Sequence, residues 1–143
     1  MITKSELIWM VLLEGAIGGA ILCLAAFLLS RFRNDVVGRM ALAIGLFTAA
    51  GAYFGFAVMA PVSRIWLLIE LLQCSVFGAM ALYGWRGSAK WLALGWALHP
   101  IWDFGLHYVG PGAFAPWRYA VACLSFDWVV AAYIAIAYRL VKT

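Results

Sequence analysis

One stretch in the second half of the chain places three ionisable side chains in an apolar background: Leu98-His99-Pro100-Ile101-Trp102-Asp103-Phe104-Gly105-Leu106-His107. It contains both histidines of the chain, with an aspartate four residues from each. On an α-helix, positions i, i+4 and i+8 advance by only about 40° per step, so His99, Asp103 and His107 form one polar stripe. Within lipid, such a stripe must face protein or a water-filled cavity. The pattern therefore predicts half of an intramembrane polar site.

The composition around this stretch is that of a membrane protein. The chain has 143 residues, of which 67% are hydrophobic and 11% are charged, whereas an ordinary soluble domain carries roughly 25% charged residues. The net charge of +4 comes from basic residues at the ends of apolar runs, without the Lys/Arg run typical of nucleic-acid binding. We therefore expect contact with the lipid bilayer and no nucleic-acid partner.

Five apolar runs have about the 20 residues that cross the hydrocarbon core of a bilayer. The predicted fold is an all-α, polytopic membrane helix bundle that forms one domain over residues 1–143, with spans at about 7–30, 36–60, 62–83, 91–109 and 117–138. The first run is too long for the apolar part of a signal peptide and lacks a basic leader, so we interpret it as a helix. We expect a multi-pass protein of the cell inner membrane.

The distribution of basic residues predicts the orientation in the membrane. Lys and Arg are more frequent in cytoplasmic loops than in external ones, so the side with more of them is expected to be cytoplasmic. The N-terminus is then outside and the C-terminus cytoplasmic. The cytoplasmic group comprises Arg31, Arg33, Arg39, Arg86, Lys90, Arg139 and Lys142, and the external group comprises Lys4, Arg64 and Arg118.

This orientation places acidic residues of four helices at a similar depth. Glu14, Glu70 and Asp127 lie about seven, eight and ten residues into their helices from the outside, at a rise of about 1.5 Å per residue. Asp103 lies about six residues from the outer end of its helix, with a histidine one turn to either side. All four carboxylates are therefore roughly 9–15 Å below the outer surface. We expect them to share one pocket with the two imidazoles.

Such a pocket needs a source of positive charge. An ionised side chain in the membrane costs at least about 2.5–3.5 kcal/mol, and we expect no Lys or Arg at this depth to offset it. Either some of the carboxylates are protonated or a cation lies among them. Imidazole and carboxylate groups are ligands of zinc, iron and manganese. The predicted ligands of a divalent metal ion, zinc or iron, are His99, Asp103, His107 and Asp127, and the predicted catalytic proton-transfer groups are Glu70 and Glu14.

The spacing limits how the stripe can bind metal. Residues i and i+4 can chelate one ion, but i and i+8 lie about 12 Å apart along a straight helix. A single ion therefore requires a bend, which Pro100 can cause because it removes a hydrogen bond and clashes with the carbonyl of Trp96. Otherwise Asp103 bridges two ions, or it orients a histidine without binding metal itself.

Three interpretations of these polar positions remain open: a metal site, a metal-free proton or ligand pathway, and interhelical packing. They lead to two functional predictions. The first is a membrane metalloprotein, in particular a metal-dependent enzyme acting on an apolar small-molecule or amphiphilic lipid substrate. The alternative is a proton- or cation-translocating carrier or channel that uses the same residues. A thiolate ligand from Cys74 or Cys123 and a nucleophilic Ser125 also remain open.

Small residues predict close helix contacts. Gly15-x-x-x-Gly19 in the first span and Gly51-x-x-x-Gly55 in the second suit the close approach of helix backbones in membranes. Because a bundle of five short helices buries a small core, we expect a homodimer or homotrimer, with the second helix as the candidate interface.

The polar motifs also resemble a known family. Trp96-Ala97-Leu98-His99-Pro100-Ile101-Trp102-Asp103, then His107, then Cys123-x-x-x-Asp127 is similar to the W-x-L-H-x-x-W-D, H and C-x-x-x-D pattern of small bacterial integral membrane proteins catalogued as DUF6010, a domain of unknown function. The resemblance implies that these polar positions matter, and it implies no reaction. Some members carry a second histidine beside the last one, where this chain has Tyr108, which argues against a role that needs three imidazoles.

Overall fold

Five α-helices make up almost all of the described chain: α1 Lys4–Phe32, α2 Asp35–Met59, α3 Arg64–Arg86, α4 Ala89–Val109 and α5 Trp117–Ala137. The structure is a computed structural model that describes residues 3–109 and 114–138, without the side chains of residues 107–109. The prediction of an all-α fold with five helices is confirmed. Arg139 and Lys142, which were used to predict the orientation, lie outside the described residues.

Short polar connections separate the first helices. Thr3 and Glu6 cap the start of α1, because the Thr3 side chain accepts a hydrogen bond from the backbone N–H of Glu6 while the Glu6 carboxylate accepts one from the N–H of Thr3. Asn34 accepts from the backbone N–H of Val37 at 3.0 Å and begins α2 directly after the turn that ends α1. This tight connection makes α1 and α2 antiparallel neighbours.

The helices form a closed ring in which each one packs against its neighbours in sequence. Contacts between α1 and α5 close the ring, and α2 also touches α4 across it. One apolar cluster fills the ring around Leu46, Trp96 and Ile134, and a smaller one surrounds Tyr53 and Leu106. Along α4, His99 and Asp103 fall between the residues of these two clusters. The polar groups therefore lie between two apolar layers, where water has little access.

The outward faces of the described helices suit contact with lipid. Among them, α1, α2, α3 and α5 are long and apolar enough to cross a membrane. Large apolar side chains such as Leu13, Ile44 and Leu72 are more than half exposed on these faces, which a soluble monomer rarely tolerates over a wide area. The α4 helix, whose sequence includes Lys90, His99, Asp103 and His107, is not one of the four. The helices indicate a multi-pass membrane protein.

The two glycine pairs have different surroundings. A Cβ atom at Gly15 would collide with the backbone carbonyl of Ala122 on α5, and one at Gly19 would lie 2.7 Å from the carbonyl oxygen of Phe126. These glycines therefore allow α1 and α5 to approach closely. A Cβ at either glycine of the second pair, Gly51-x-x-x-Gly55, would have no atom of the described chain within 4 Å. That pair faces outward, and its role in an oligomer stays a prediction.

Candidate functional site

The polar stripe of α4 faces the inside of the bundle. His99 is 0% exposed and Asp103 is 1% exposed, whereas Ile101 and Phe104 are more than half exposed on the other side of the helix. The spacing of four residues that predicted the stripe thus places both groups on one buried face. The helix continues through Pro100 without interruption. In a soluble protein the polar face of a surface helix points to water. Here the polar face of α4 points to the interior of the bundle.

His99 joins two carboxylates from two helices. Its Nδ1 lies 2.8 Å from Oδ2 of Asp127 on α5, at hydrogen-bonding distance, and 3.6 Å from Oδ2 of Asp103 one turn along α4. Each of the three residues offers a ligand atom within 4.8 Å of those of the other two. Asp127 is 0% exposed. We refer to His99, Asp103 and Asp127 as the His–Asp cluster.

Aromatic rings and a thiol surround the cluster. Phe77 on α3 and Tyr53 on α2 both meet the His99 ring edge to face, with centroids 5.1 Å and 6.2 Å away. The Asp103 carboxylate also interacts with the side chains of Tyr53 and Cys123. This apolar wall lowers the local dielectric, which strengthens every electrostatic interaction inside it.

A third buried carboxylate borders the cluster from α3. Glu70 is 0% exposed, and its Oε2 accepts a hydrogen bond of 3.2 Å from Nε2 of Gln73. The same nitrogen donates to the backbone carbonyl of Ala50 at 2.9 Å, so Gln73 ties α3 to α2. Glu70 also interacts electrostatically with His99 and with the side chain of Trp102. The structure therefore brings Glu70 beside the cluster, as the depth of the residue predicted.

Glu14 lies elsewhere. Its side chain is 59% exposed and lies 3.7 Å from a guanidinium nitrogen of Arg118 at the start of α5. The expectation that Glu14 shares the pocket and has no basic partner is therefore wrong. The reason is rotational, because α1 buries Val11, Gly15 and Gly19, and a neighbour of Gly15 is turned about 100° away from that face.

The second histidine of the stripe is His107. The backbone of His107 belongs to α4, but its side chain lies outside the described residues. Its role as a metal ligand stays a prediction, as does any effect of Tyr108 beside it.

Tyr53 is a site residue that the sequence analysis missed, because the depth argument considered only carboxylates and imidazoles. It is 0% exposed and faces His99 and Asp103. A signal was present in the sequence: Leu46, Ala50, Tyr53 and Ala57 recur at helical spacing and are all buried. A buried tyrosine hydroxyl usually has a hydrogen-bonding partner, so its place on this face indicated a polar neighbour.

The serine and the cysteines have separate environments. Ser125 donates a hydrogen bond of 2.7 Å to the carbonyl of Leu12 on α1, so its hydroxyl does not form a Ser-His-Asp arrangement with the cluster. Cys123 is buried and interacts with Asp103, although its sulfur is not part of the group within 4.8 Å. Cys74 is partly exposed and lies near Glu70.

Comparison with known proteins finds a family match. The model of a family described as "Family of unknown function (DUF6010)" matches residues 14–139. This segment contains all three residues of the His–Asp cluster as well as Glu70 and Tyr53. Searches of curated proteins and of solved structures find no match.

Proposed function

The chain belongs to the DUF6010 family, and from the geometry of its buried polar groups we propose that it is a membrane metalloprotein that binds zinc or iron at the His–Asp cluster. The observation that carries this proposal is the mutual distance of the donors: one imidazole nitrogen and two carboxylate oxygens within 4.8 Å of one another. Three protein ligands are the number found in catalytic zinc sites, which keep a further coordination position open for water or substrate.

The charge balance supports a cation. Among the described side chains, three buried carboxylates, those of Glu70, Asp103 and Asp127, interact electrostatically with one imidazole, that of His99. One imidazolium carries a single positive charge, and buried negative charge in excess of it is unfavourable. A divalent ion among the cluster offsets the remaining charge without any other basic group.

The histidine can serve the metal in two ways. In the first, Nδ1 of His99 and the carboxylates of Asp103 and Asp127 would hold the metal together. In the second, Nδ1–H donates to Asp127, which orients the ring, and Nε2 binds the metal. Nε2 is buried and has no hydrogen-bond partner among the described side chains and backbone groups. His107, the fourth predicted ligand, follows two turns further along α4.

The chemistry proposed for this site is activation of water by the metal, with Glu70 as the neighbouring proton-transfer group. Glu14 takes no part, because its carboxylate pairs with Arg118. In the predicted orientation, the site is in the outer half of the membrane, and the substrate is an apolar or amphiphilic molecule that arrives from the lipid.

One observation favours the alternative of proton or cation translocation. The groups Glu70, His99, Asp127, Asp103 and Tyr53 form a continuous series of interacting, protonatable side chains from α3 through α4 and α5 to α2. Buried series of this kind carry protons in pumps and transporters. The two functions differ in whether a metal is held tightly.

Elemental analysis of the purified full chain tests the proposal. We expect about one zinc or iron per chain, lost in His99→Ala and Asp127→Ala and retained in the control Glu14→Ala. Occupancy should fall as the pH is lowered, because protons compete with the metal for imidazole and carboxylate ligands. A chain without stoichiometric metal that passes protons across liposomes would instead support the carrier.

A further inference from the structure

A groove lies between α3 and α4 and is lined in part by exposed apolar side chains. Its volume is about 570 Å³, within the range of about 300–1,000 Å³ that small-molecule sites occupy. Its walls are almost entirely apolar and extend along α3 from Trp66 to Phe77, roughly 16 Å at the rise of a helix. Ile101 and Leu72 at its rim are more than half exposed. The shape suits a long, thin apolar ligand.

Among the described residues that line this groove, one has a buried hydrogen-bond acceptor without a partner. Gln73 lines the groove and is 4% exposed. Its Nε2 is occupied by the carbonyl of Ala50 and the carboxylate of Glu70, and because both partners are acceptors, this end of the amide must be the nitrogen. Its Oε1 is buried without a hydrogen-bond partner in the described chain. An unpaired buried carbonyl is unfavourable, so a donor group that reaches Oε1 past the wall of the groove would be stabilised there.

The groove shares wall residues with the surroundings of the His–Asp cluster. Phe77 forms part of its wall and also meets the ring of His99 at 5.1 Å between centroids. Trp102 and Gln73 line the groove and both interact with Glu70. A ligand head at Gln73 is therefore separated from the cluster only by the side chains that border the cluster.

We propose that this groove binds a single-chain amphiphile, whose alkyl chain lies between α3 and α4 and whose hydroxyl or amide head donates a hydrogen bond to Oε1 of Gln73. This inference rests on the proposed function, because it names the class of substrate for the His–Asp cluster. The apolar walls select the chain, and the buried acceptor selects a head with a donor over one that carries only acceptors.

The experiment uses the full chain in nanodiscs. The photoreactive probe is hexadecanol with a diazirine in the middle of its alkyl chain. We expect saturable photolabelling of α3 and α4. Unlabelled hexadecanol should compete roughly twofold to tenfold better than its methyl ether, which has the same chain and no donor, as expected for one hydrogen bond. In Gln73→Met this preference should disappear while labelling persists.

Two glycines provide matched variants. Gly105 lines the groove, and a Cβ there would have no described atom within 4 Å. Gly51 is equally open but is not part of the groove. Gly105→Leu should abolish saturable labelling and Gly51→Leu should leave it unchanged. Ile101→Trp, at an exposed rim position, is a second blocking variant that does not depend on how Gly105→Leu folds.

Labelling that is spread over the outward faces of all helices, or that survives both blocking variants, would overturn the proposal. Metal content is measured on the same samples, so the two proposals fail separately. Saturable labelling by a chain without metal leaves the groove in place and removes the metal site, whereas a metal-loaded chain with unsaturable labelling does the reverse.

Discussion

Two glutamates that the sequence predicts to lie at a similar depth in the membrane have opposite environments. Glu14 on α1 is 59% exposed and pairs with Arg118 at 3.7 Å. Glu70 on α3 is fully buried beside His99 and receives a hydrogen bond from Gln73. The two residues have similar positions along their helix axes. They differ in direction around the axis, because Glu14 points outward and Glu70 points into the bundle.

The difference shows how this bundle divides its polar groups. The contact between α1 and α5 depends on close backbone approach at Gly15 and Gly19, and its ion pair is peripheral. The interior between α2, α3, α4 and α5 contains the groups whose charges have little access to solvent. We therefore expect the largest effect of substitution at the interior carboxylate of Asp127 and the smallest at the Glu14–Arg118 ion pair.

The largest effect is expected for Asp127→Ala. It removes the hydrogen-bond partner of His99 at 2.8 Å and one proposed ligand. Breaking a buried pair should lower the free energy of unfolding by about 3 kcal/mol, and the affinity for metal should fall by more than about 100-fold, since even an orienting group is worth 10–100-fold. SDS titration in mixed micelles and metal titration measure the two effects. Unchanged values in both would show that Asp127 matters no more than Glu14.

The second-largest effect is expected for Gly15→Val, which tests the contact between α1 and α5. The added side chain would collide with the carbonyl of Ala122, and overpacking of this kind costs about 1–3 kcal/mol. Gly51→Val is the matched control, because nothing described lies within 4 Å of its Cβ. Metal content should be unchanged in both. Equal stability of the two variants would contradict the assigned α1–α5 contact.

Glu70→Ala should have a smaller effect on stability than Asp127→Ala. Gln73 loses one acceptor but keeps its bond to the carbonyl of Ala50, so the free energy of unfolding should fall by about 1 kcal/mol. Metal should remain bound, because Glu70 is not in the group within 4.8 Å. Loss of metal in this variant would place Glu70 among the ligands.

The smallest effect is expected for Glu14→Gln. Both partners of its ion pair are more than half exposed, and exposed pairs contribute about 0–1 kcal/mol. Unfolding and metal content should therefore match the unmodified chain within error. A loss of metal here would restore Glu14 to the shared site.

The candidate site was predictable where residue identity and spacing are sufficient. His99 and Asp103 are four residues apart in an apolar run, and a helix places such residues on one face that must be inward in lipid. Asp127 and Glu70 were found by depth alone. Depth was insufficient for Glu14, because it carries no information about the direction in which a side chain points around the helix.

Two features had the same sequence signal and different outcomes. Gly15-x-x-x-Gly19 lies against α5, while Gly51-x-x-x-Gly55 faces outward. Tyr53, between the glycines of the second pair, is the residue of that segment that is fully buried, and it reaches His99 and Asp103. Which face of a helix is covered depends on the helix beside it.

The amino-acid sequence alone determined five helices, their apolar character and the shared face of His99 and Asp103, because helical periodicity and hydropathy are local properties. The tertiary structure alone showed that Asp127 meets His99 at 2.8 Å, that Tyr53 completes the wall and that Glu14 is outside. These depend on the relative rotation of helices far apart in the chain, which close packing of the whole ring sets and which no local pattern contains.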